Sequence, residues 1–398
     1  MWIFFWLIFF ILWLSLDIYF GRKKAKTLSS ERIYPKRKGE IDFFCSGPDF
    51  FRQLFSDIKE ARERVYCLFY IIKGDKVCQD FFHLLKEKAE SGIDVYLLMD
   101  WQGSRKVNKQ HVDDLKRAGV RVDFFGKPRL PFFFFSLQQR NHRKITAIDG
   151  TIGYLGGFNV GREYINKSKN RLLSPWRDYH LRFCGGAAAD LEAEFLADWN
   201  QEGRPVLQPA GTQTAANREG TEHVIYPSGN GELEKKLVDM ISKVRSSIFI
   251  GTPYFIPTKP VFDQLLDALA RGVRVTVLLP KQKDHPLVQE ASYPFLRRLL
   301  LFPNARVQSF MEGFYHAKIV IFDDEVCDIG TANFDARSQL LNFECNCFIH
   351  SPAFIDRIRP VLEKDLSNSR PVTFEDLHHP AFVEKAKEKT AHLLRGFL

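Results

Sequence analysis

Residues Met1 to Phe20, MWIFFWLIFFILWLSLDIYF, form a near-continuous apolar run broken only by Ser15 and Asp17. Trp2, Phe4, Phe5, Trp6 and Trp13 cover every face of such a helix, so it is not the one-sided helix of a soluble core. About 20 helical residues span about 30 Å, the thickness of a bilayer core. Arg22, Lys23, Lys24 and Lys26 follow at once, whereas no basic region precedes the run and no small-residue cleavage site follows it. This pattern predicts a transmembrane anchor rather than a removed signal, with everything from about residue 21 on the cytoplasmic side.

Beyond the anchor the pattern alternates between helical and strand periods, and it does so twice. LLKEKAESGIDVYLLMD (84 to 100) and LLDALARGVRVTVLLP (265 to 280) each read as an amphipathic helix capped at Gly92 or Gly272, followed by a buried strand. AGVRVDFF (118 to 125) and NARVQSF (304 to 310) each add a short strand. The third match is the most specific: NHRKITAIDGTIGYLGGFN ends at Asn159 and YHAKIVIFDDEVCDIGTAN at Asn333. His142, Lys144, Asp149, Gly156 and Asn159 recur as His316, Lys318, Asp323, Gly330 and Asn333 at a constant shift of 174, as 316 minus 142 and 333 minus 159 show. Gly92 to His142 is 50 residues and Gly272 to His316 is 44, which puts six extra residues in the first half, around the apolar PRLPFFFFSLQQ. Helices alternating with short strands predict an α/β fold with mixed central sheets flanked by helices, and the duplication predicts a pseudo-twofold. The expected divisions are an anchor at 1–20, a basic linker at 21–41, a first half at 42–204, a linker at 205–222, a second half at 223–370 and a helical tail at 371–398.

Composition narrows the partners. The 398 residues suffice for two domains, and 57 basic against 48 acidic residues give a net charge of +9, which favours anionic partners such as phospholipid head groups or nucleic acid. Seven scattered cysteines without a C-x-x-C pair suggest neither a disulfide framework nor a zinc site. Phenylalanine is abundant, at 37 residues, and its runs at Phe4-Phe5, Phe9-Phe10 and Phe132 to Phe135 are unlike a soluble surface. The last run reads as a loop that dips into a membrane or lines a lipid.

The duplicated motif carries the chemistry. Residues i and i+2 of a strand share a face, so each half presents an imidazole and an ammonium together, and two such faces meeting across a twofold make one site. One neutral imidazole can attack phosphorus while its twin protonates the leaving oxygen; Lys144, Lys318, Asn159 and Asn333 can neutralise the phosphoryl oxygens. Neither a Walker loop nor clustered carboxylates are present to hold magnesium, so no metal and no cofactor are expected. Asp178 in PWRDYHLRFCGG and Glu344 in SQLLNFECN are candidates to orient the histidines. Asp149 and Asp323 belong to the catalytic motif but fall at turns, where tying the backbone is the expected role. His180, two residues after Asp178, reads as an ordinary strand histidine or a partner of that site.

The duplicated HxKxxxxD followed by GGFN or GTAN resembles the phospholipase D superfamily. RNHRK (140 to 144), IGYLGGFNVG (152 to 161), WRD (176 to 178), TPYFIP (252 to 257), IGTANFDARS and LNFE are similar to the bacterial cardiolipin synthases, over about residues 60 to 350. The resemblance implies transfer of a phosphatidyl group from one phosphatidylglycerol to the hydroxyl of another, through a phosphatidyl-histidine, with release of glycerol. It implies His142 as nucleophile and His316 as general acid and base, an order the symmetry of the motif does not itself establish. It implies further that Asp178 orients His142 and Glu344 orients His316, and that the partners are phosphatidylglycerol and the membrane, not nucleic acid. A hydrolytic phospholipase D, or a phosphatidyltransferase with a different alcohol acceptor, is the alternative. Many cardiolipin synthases begin with two transmembrane helices, and this chain shows one span. The tail PAFVEKAKEKTAHLLRGFL places Val383, Ala386, Thr390, Leu394 and Phe397 on one stripe, suited either to an interface or to packing on the core.

Overall fold

The structure, a computed structural model, describes residues 2–28, 32–201, 206–207, 219–378 and 386–391. Helix α1 (Trp2–Leu28) contains a 22-residue stretch, Phe4–Ala25, of mean hydropathy 1.9, long and apolar enough to cross a membrane. The stretch expected as a basic linker, 21–41, is shared between the end of α1 and the first strand, β1 (Arg37–Phe44).

The first half supplies β1, β2 (Arg64–Phe69), β3 (Asp94–Asp100), β4 (Arg121–Phe125), β5 (Ile145–Ile148), β6 (Ile152–Gly156) and β7 (His180–Cys184). The second supplies β8 (Thr221–Ser228), β9 (Ser247–Gly251), β10 (Arg274–Pro280), β11 (Ala305–Phe310), β12 (Ile319–Phe322), β13 (Val326–Gly330), β14 (Glu344–His350) and an added edge, β15 (Ser369–Pro371). They form one 15-stranded sheet in the order β15-β11-β10-β9-β12-β13-β14-β8-β1-β7-β6-β5-β2-β3-β4. Around its middle the order is a palindrome of equivalents. The halves therefore merge into a single sheet through the antiparallel pair β1–β8, whose partners Lys38↔Glu222 straddle the pseudo-twofold.

Helices sandwich this sheet. On one face α6 (Gly186–Trp199) and α11 (Pro352–Ser367) bury a core common to both halves, with Leu191, Phe195, Ile355 and Ile358 packed against Leu181 and Ile329. On the other face α2 (Gly47–Glu60), α3 (Lys76–Glu90) and α4 (Lys109–Arg117) cover the first half, and α7 (Glu232–Lys243), α8 (Lys259–Ala270) and α9 (Val288–Leu299) cover the second. Much of the phenylalanine excess is absorbed here, at Phe50, Phe69, Phe81, Phe158, Phe183 and Phe195, all buried. Each burial of such a ring contributes about 2 kcal/mol or more. After α3 and α8 the chain reverses through Gly92 (φ 90°) and Gly272 (φ 91°), left-handed conformations that favour glycine.

The segment Phe132 to Phe135 is not an open loop. It opens a short helix, α5 (Phe133–Gln138), which packs on α1: Phe134 meets Phe10 and Trp13 edge-on at 5.7 and 5.0 Å, and the Phe135 N–H donates to Asp17 at 2.8 Å. Of the tail stripe, Val383, Leu394 and Phe397 lie outside the described residues. Residues 386–391 are helical and pack on the second half, where Ala391 is buried beside Ala291 and Glu388 pairs with Arg297 at 2.7 Å.

Candidate active site

Each motif histidine sits just before a hairpin rather than on a strand: His142 and Lys144 lead into β5, and His316 and Lys318 into β12. What fixes them is a pair of crossings between the halves. Asn141 bridges Phe343 in parallel, and the His142 N–H donates to the Phe343 carbonyl at 2.9 Å. Symmetrically, Phe314–Tyr315 pairs in parallel with Trp176–Arg177, and the His316 N–H donates to the Arg177 carbonyl at 2.7 Å. The residue before each histidine thus lies beside the residue before the opposite half's carboxylate.

The carboxylates consequently exchange partners relative to the expectation. His142 Nδ1 lies 3.0 Å from both Glu344 oxygens, and His316 Nδ1 lies 2.5 Å from Asp178 Oδ2. Asp178 orients His316 rather than His142, and Glu344 orients His142 rather than His316, because the parallel bridges run across the pseudo-twofold. With Nδ1 engaged, His142 keeps Nε2 for chemistry, His316 Nε2 lies 3.3 Å from Lys318 Nζ, and both histidines line one cavity of about 940 Å³.

The two pairs differ in support. Glu344 accepts hydrogen bonds from Thr331 Oγ1 (2.6 Å) and Ser338 Oγ (2.8 Å). Burial works to raise its carboxyl, but the His142 ring, Lys144 and the Thr331 hydroxyl outweigh it and hold it at about 2. At the position equivalent to Thr331 the first half has Gly157, where a Cβ would come within 1.9 Å of Asp178 Oδ1, so only glycine leaves room for that carboxylate. Burial likewise opposes the ionised Asp178, and Lys318 and His316 keep it below the usual carboxylate range. Lys318 Nζ lies 2.6 Å from His316 Nδ1, a contact that His142 lacks among the hydrogen bonds of the described residues.

Burial pushes both imidazoles down to about 4, against the pull of their carboxylates, so both are neutral near pH 7. The lysines lie beneath them: Lys144 Nζ donates to its own motif's His142 carbonyl at 2.5 Å, and Lys318 Nζ to the His316 carbonyl. Burial brings the Lys144 ammonium down to about 7 and lowers Lys318. Asn159 and Asn333 both line the cavity; the Asn159 Oδ1 accepts the Ile71 N–H at 2.9 Å, which sets the direction of its amide.

Asp149 and Asp323 lie away from this cavity. Asp149 accepts the N–H groups of Arg62, Glu63 and Arg64 at 2.8 to 2.9 Å, and Asp323 those of Arg245, Ser246 and Ser247 at 2.7 to 3.0 Å. They pin the start of β2 and β9 to the motif hairpins, and neither touches a reacting group. His180 is a core residue, stacked on Phe158 and tilted against Phe50 at 4.1 Å, with burial pushing its ring down to about 3.

Residues 54–199 and 237–366 match the family model described as cardiolipin synthase, phospholipase D-like domain. The chain belongs to the cardiolipin synthase family. It is 38% identical to the minor cardiolipin synthase of Bacillus subtilis over 392 residues, which is 98% of this chain and 97% of that one. The major cardiolipin synthase of the same organism is 35% identical, over 90% of this chain and 75% of its own length. Cardiolipin synthase 1 of Staphylococcus aureus is 34% identical, over 90% and 74%. Among solved structures, the phosphatidylserine synthase of Haemophilus influenzae superposes with a TM-score of 0.73 at 16% identity, covering 95% of this chain and 100% of that one, a likeness of fold.

Within this family frame, further cavity residues stand out that the motif search did not single out. Tyr70 packs edge-on to His142 at 4.8 Å, and Tyr254 faces His316 at 6.5 Å, each just beyond the end of β2 or β9. Trp176 lies 4.9 Å from His316. Tyr254 and Trp176 sit inside TPYFIP and WRD, so the signal was present in segments read for likeness rather than for role. Arg143, the basic residue between His142 and Lys144, is buried and bonds Asp198 at 2.6 Å and the Glu344 carbonyl at 2.9 Å.

Proposed function

We propose that this cardiolipin synthase family member joins two phosphatidylglycerol molecules into cardiolipin and glycerol. The observation that carries the reading is the pair of carboxylate-backed imidazoles facing one cavity from opposite halves, in a chain closely similar to curated cardiolipin synthases.

His142 Nε2 attacks the phosphorus of the first lipid, and the bond from phosphorus to the glycerol oxygen breaks. His316, protonated at Nε2 and balanced by Asp178, gives its proton to that oxygen, and glycerol leaves. The negative phosphodiester itself favours the protonated form of His316, which burial disfavours in the empty site. His316, now neutral, takes the proton from the hydroxyl of a second phosphatidylglycerol. The resulting oxygen attacks the phosphorus, the phosphorus–nitrogen bond breaks, and His142 is free again. Assigning the acid role to His316 is supported by Lys318 against its ring, since an ammonium neighbour makes an imidazolium a better proton donor. Lys144, Lys318, Asn159 and Asn333 hold the phosphoryl oxygens, and Tyr70, Tyr254 and Trp176 screen the rings from water.

We infer that α1 anchors the enzyme with its catalytic body on the cytoplasmic side, as Arg22, Lys23, Lys24 and Lys26 after the span support. Purified full-length enzyme in mixed micelles with phosphatidylglycerol should release glycerol and cardiolipin in equal amounts. Phosphatidic acid as the main product would make the chain a hydrolase and overturn the reading.

A further inference from the structure

A second cavity, of about 710 Å³, lies outside the catalytic one, where α1 leaves the span and meets the body. Its position is built rather than incidental. Asp17, buried in the helix, accepts the Phe135 N–H at 2.8 Å, and at Gly21 a Cβ would come within 2.5 Å of the Phe135 side chain. One turn further, Lys24 and Ala25 form a wall of the cavity, with Lys24 Nζ 5.8 Å from the Phe132 ring. The helix wall of the cavity, Gly21 to Ala25, therefore lies about 6 to 12 Å below Asp17 along the helix, at the level where an apolar span gives way to charge.

Its walls suit a lipid at that level. Phe132 and Phe135 give an apolar side continuous with the span, and Lys24 and Arg129 bring positive charge. Gln139 and Asn230 present amides, Gln139 Nε2 donating to Asn230 Oδ1 at 3.0 Å and Asn230 Nδ2 to the Ala25 carbonyl at 3.4 Å, and the Glu232 carboxylate, which accepts the Gly229 N–H at 2.9 Å, has further acceptor capacity for a hydroxyl. Arg32 and Arg143 also border it, paired with Glu194 and Asp198.

We propose that this cavity is a second, non-catalytic lipid site, holding an anionic phospholipid with a hydroxylated headgroup drawn from the leaflet that α1 leaves. Lys24 and Arg129 hold its phosphate, the amides and Glu232 its hydroxyls, and Phe132 and Phe135 the start of its chains. The proposal rests on the reading that α1 spans the membrane, which carbonate extraction tests separately: release of the protein would defeat the span without touching the cavity.

The test uses full-length protein carrying His142→Asn, so that lipid is not consumed, in phosphatidylcholine nanodiscs doped with a headgroup-photoreactive phosphatidylglycerol. Peptide mapping after irradiation should give two labelled sets, one around the catalytic cavity and one at residues 21–25 and 129–139. Lys24→Glu with Arg129→Glu should lower the second set about tenfold or more and leave the first. Ala197→Trp, which fills the cavity from α6 without changing charge, should do the same. A phosphatidylcholine probe of like design should leave the second set at background, and soluble glycerol phosphate should not compete. Absence of the second set, indifference to both variants, equal labelling by the choline probe, or competition by glycerol phosphate would each overturn the proposal.

Discussion

At the residue scale, the chemistry depends on which carboxylate meets which ring. In protein labelled with ¹⁵N-histidine, the Nδ1 proton of His142 should resonate far downfield and vanish in Glu344→Gln, while Asp178→Asn abolishes that of His316 instead. The reverse pattern would mean that each half orients its own histidine. Both substitutions should also lower turnover by roughly ten-thousandfold, as loss of an orienting carboxylate does elsewhere. Lys144 offers a pH test. Its ammonium, brought down to about 7 by burial, binds an anion only while protonated, so affinity for vanadate should fall as pH rises through about 7. Lys144→Met should bind vanadate weakly and with a flatter dependence; an unchanged profile would remove Lys144 from the phosphate site. The repeat alone singled out the histidines, lysines and asparagines, and the two carboxylates were candidates from the strand-like segments downstream of each motif. Their pairing was not, because the resemblance assigned each histidine a partner in its own half, and the bridges Asn141↔Phe343 and Tyr315↔Arg177 carry no side-chain signature.

Elements were legible where the periodicity was long. The helix-to-strand passages ending at Gly92 and Gly272 are present as read, and α1 was foreseen from its hydropathy. The segment Phe132 to Phe135 was misjudged in form, because four consecutive aromatics have no period of their own and became ordered only against Phe10, Trp13 and Asp17 of α1. Asp17 thereby acts as a cap on α5 supplied from another helix. Asp17→Ala should weaken α5 by about 1 kcal/mol, the usual worth of such a cap. Hydrogen exchange should report it as faster exchange at Phe135 and Ser136, with rates in β5 and β12 unchanged. Unaltered exchange in α5 would show that the aromatic contacts suffice without the carboxylate.

On the scale of the whole molecule, the duplication predicted two like halves, yet not that they share one sheet. The seam is β1 against β8, and both strands lie outside the repeated motifs, in polar stretches that read as linker or its margin. A common core beneath α6 and α11 buries the seam, and the two parallel bridges between the halves set His142 and His316 on one cavity. One site from two halves is the central claim, and trapping the intermediate tests it most directly. Full-length His316→Asn protein, mixed with phosphatidyl-p-nitrophenol, whose leaving group needs no proton, and quenched rapidly, should carry a phosphatidyl group on the peptide containing His142, found by mass spectrometry. His142→Asn protein should carry none. An adduct on His316 in the His142→Asn protein would reverse the roles, and no adduct on either histidine would contradict the account.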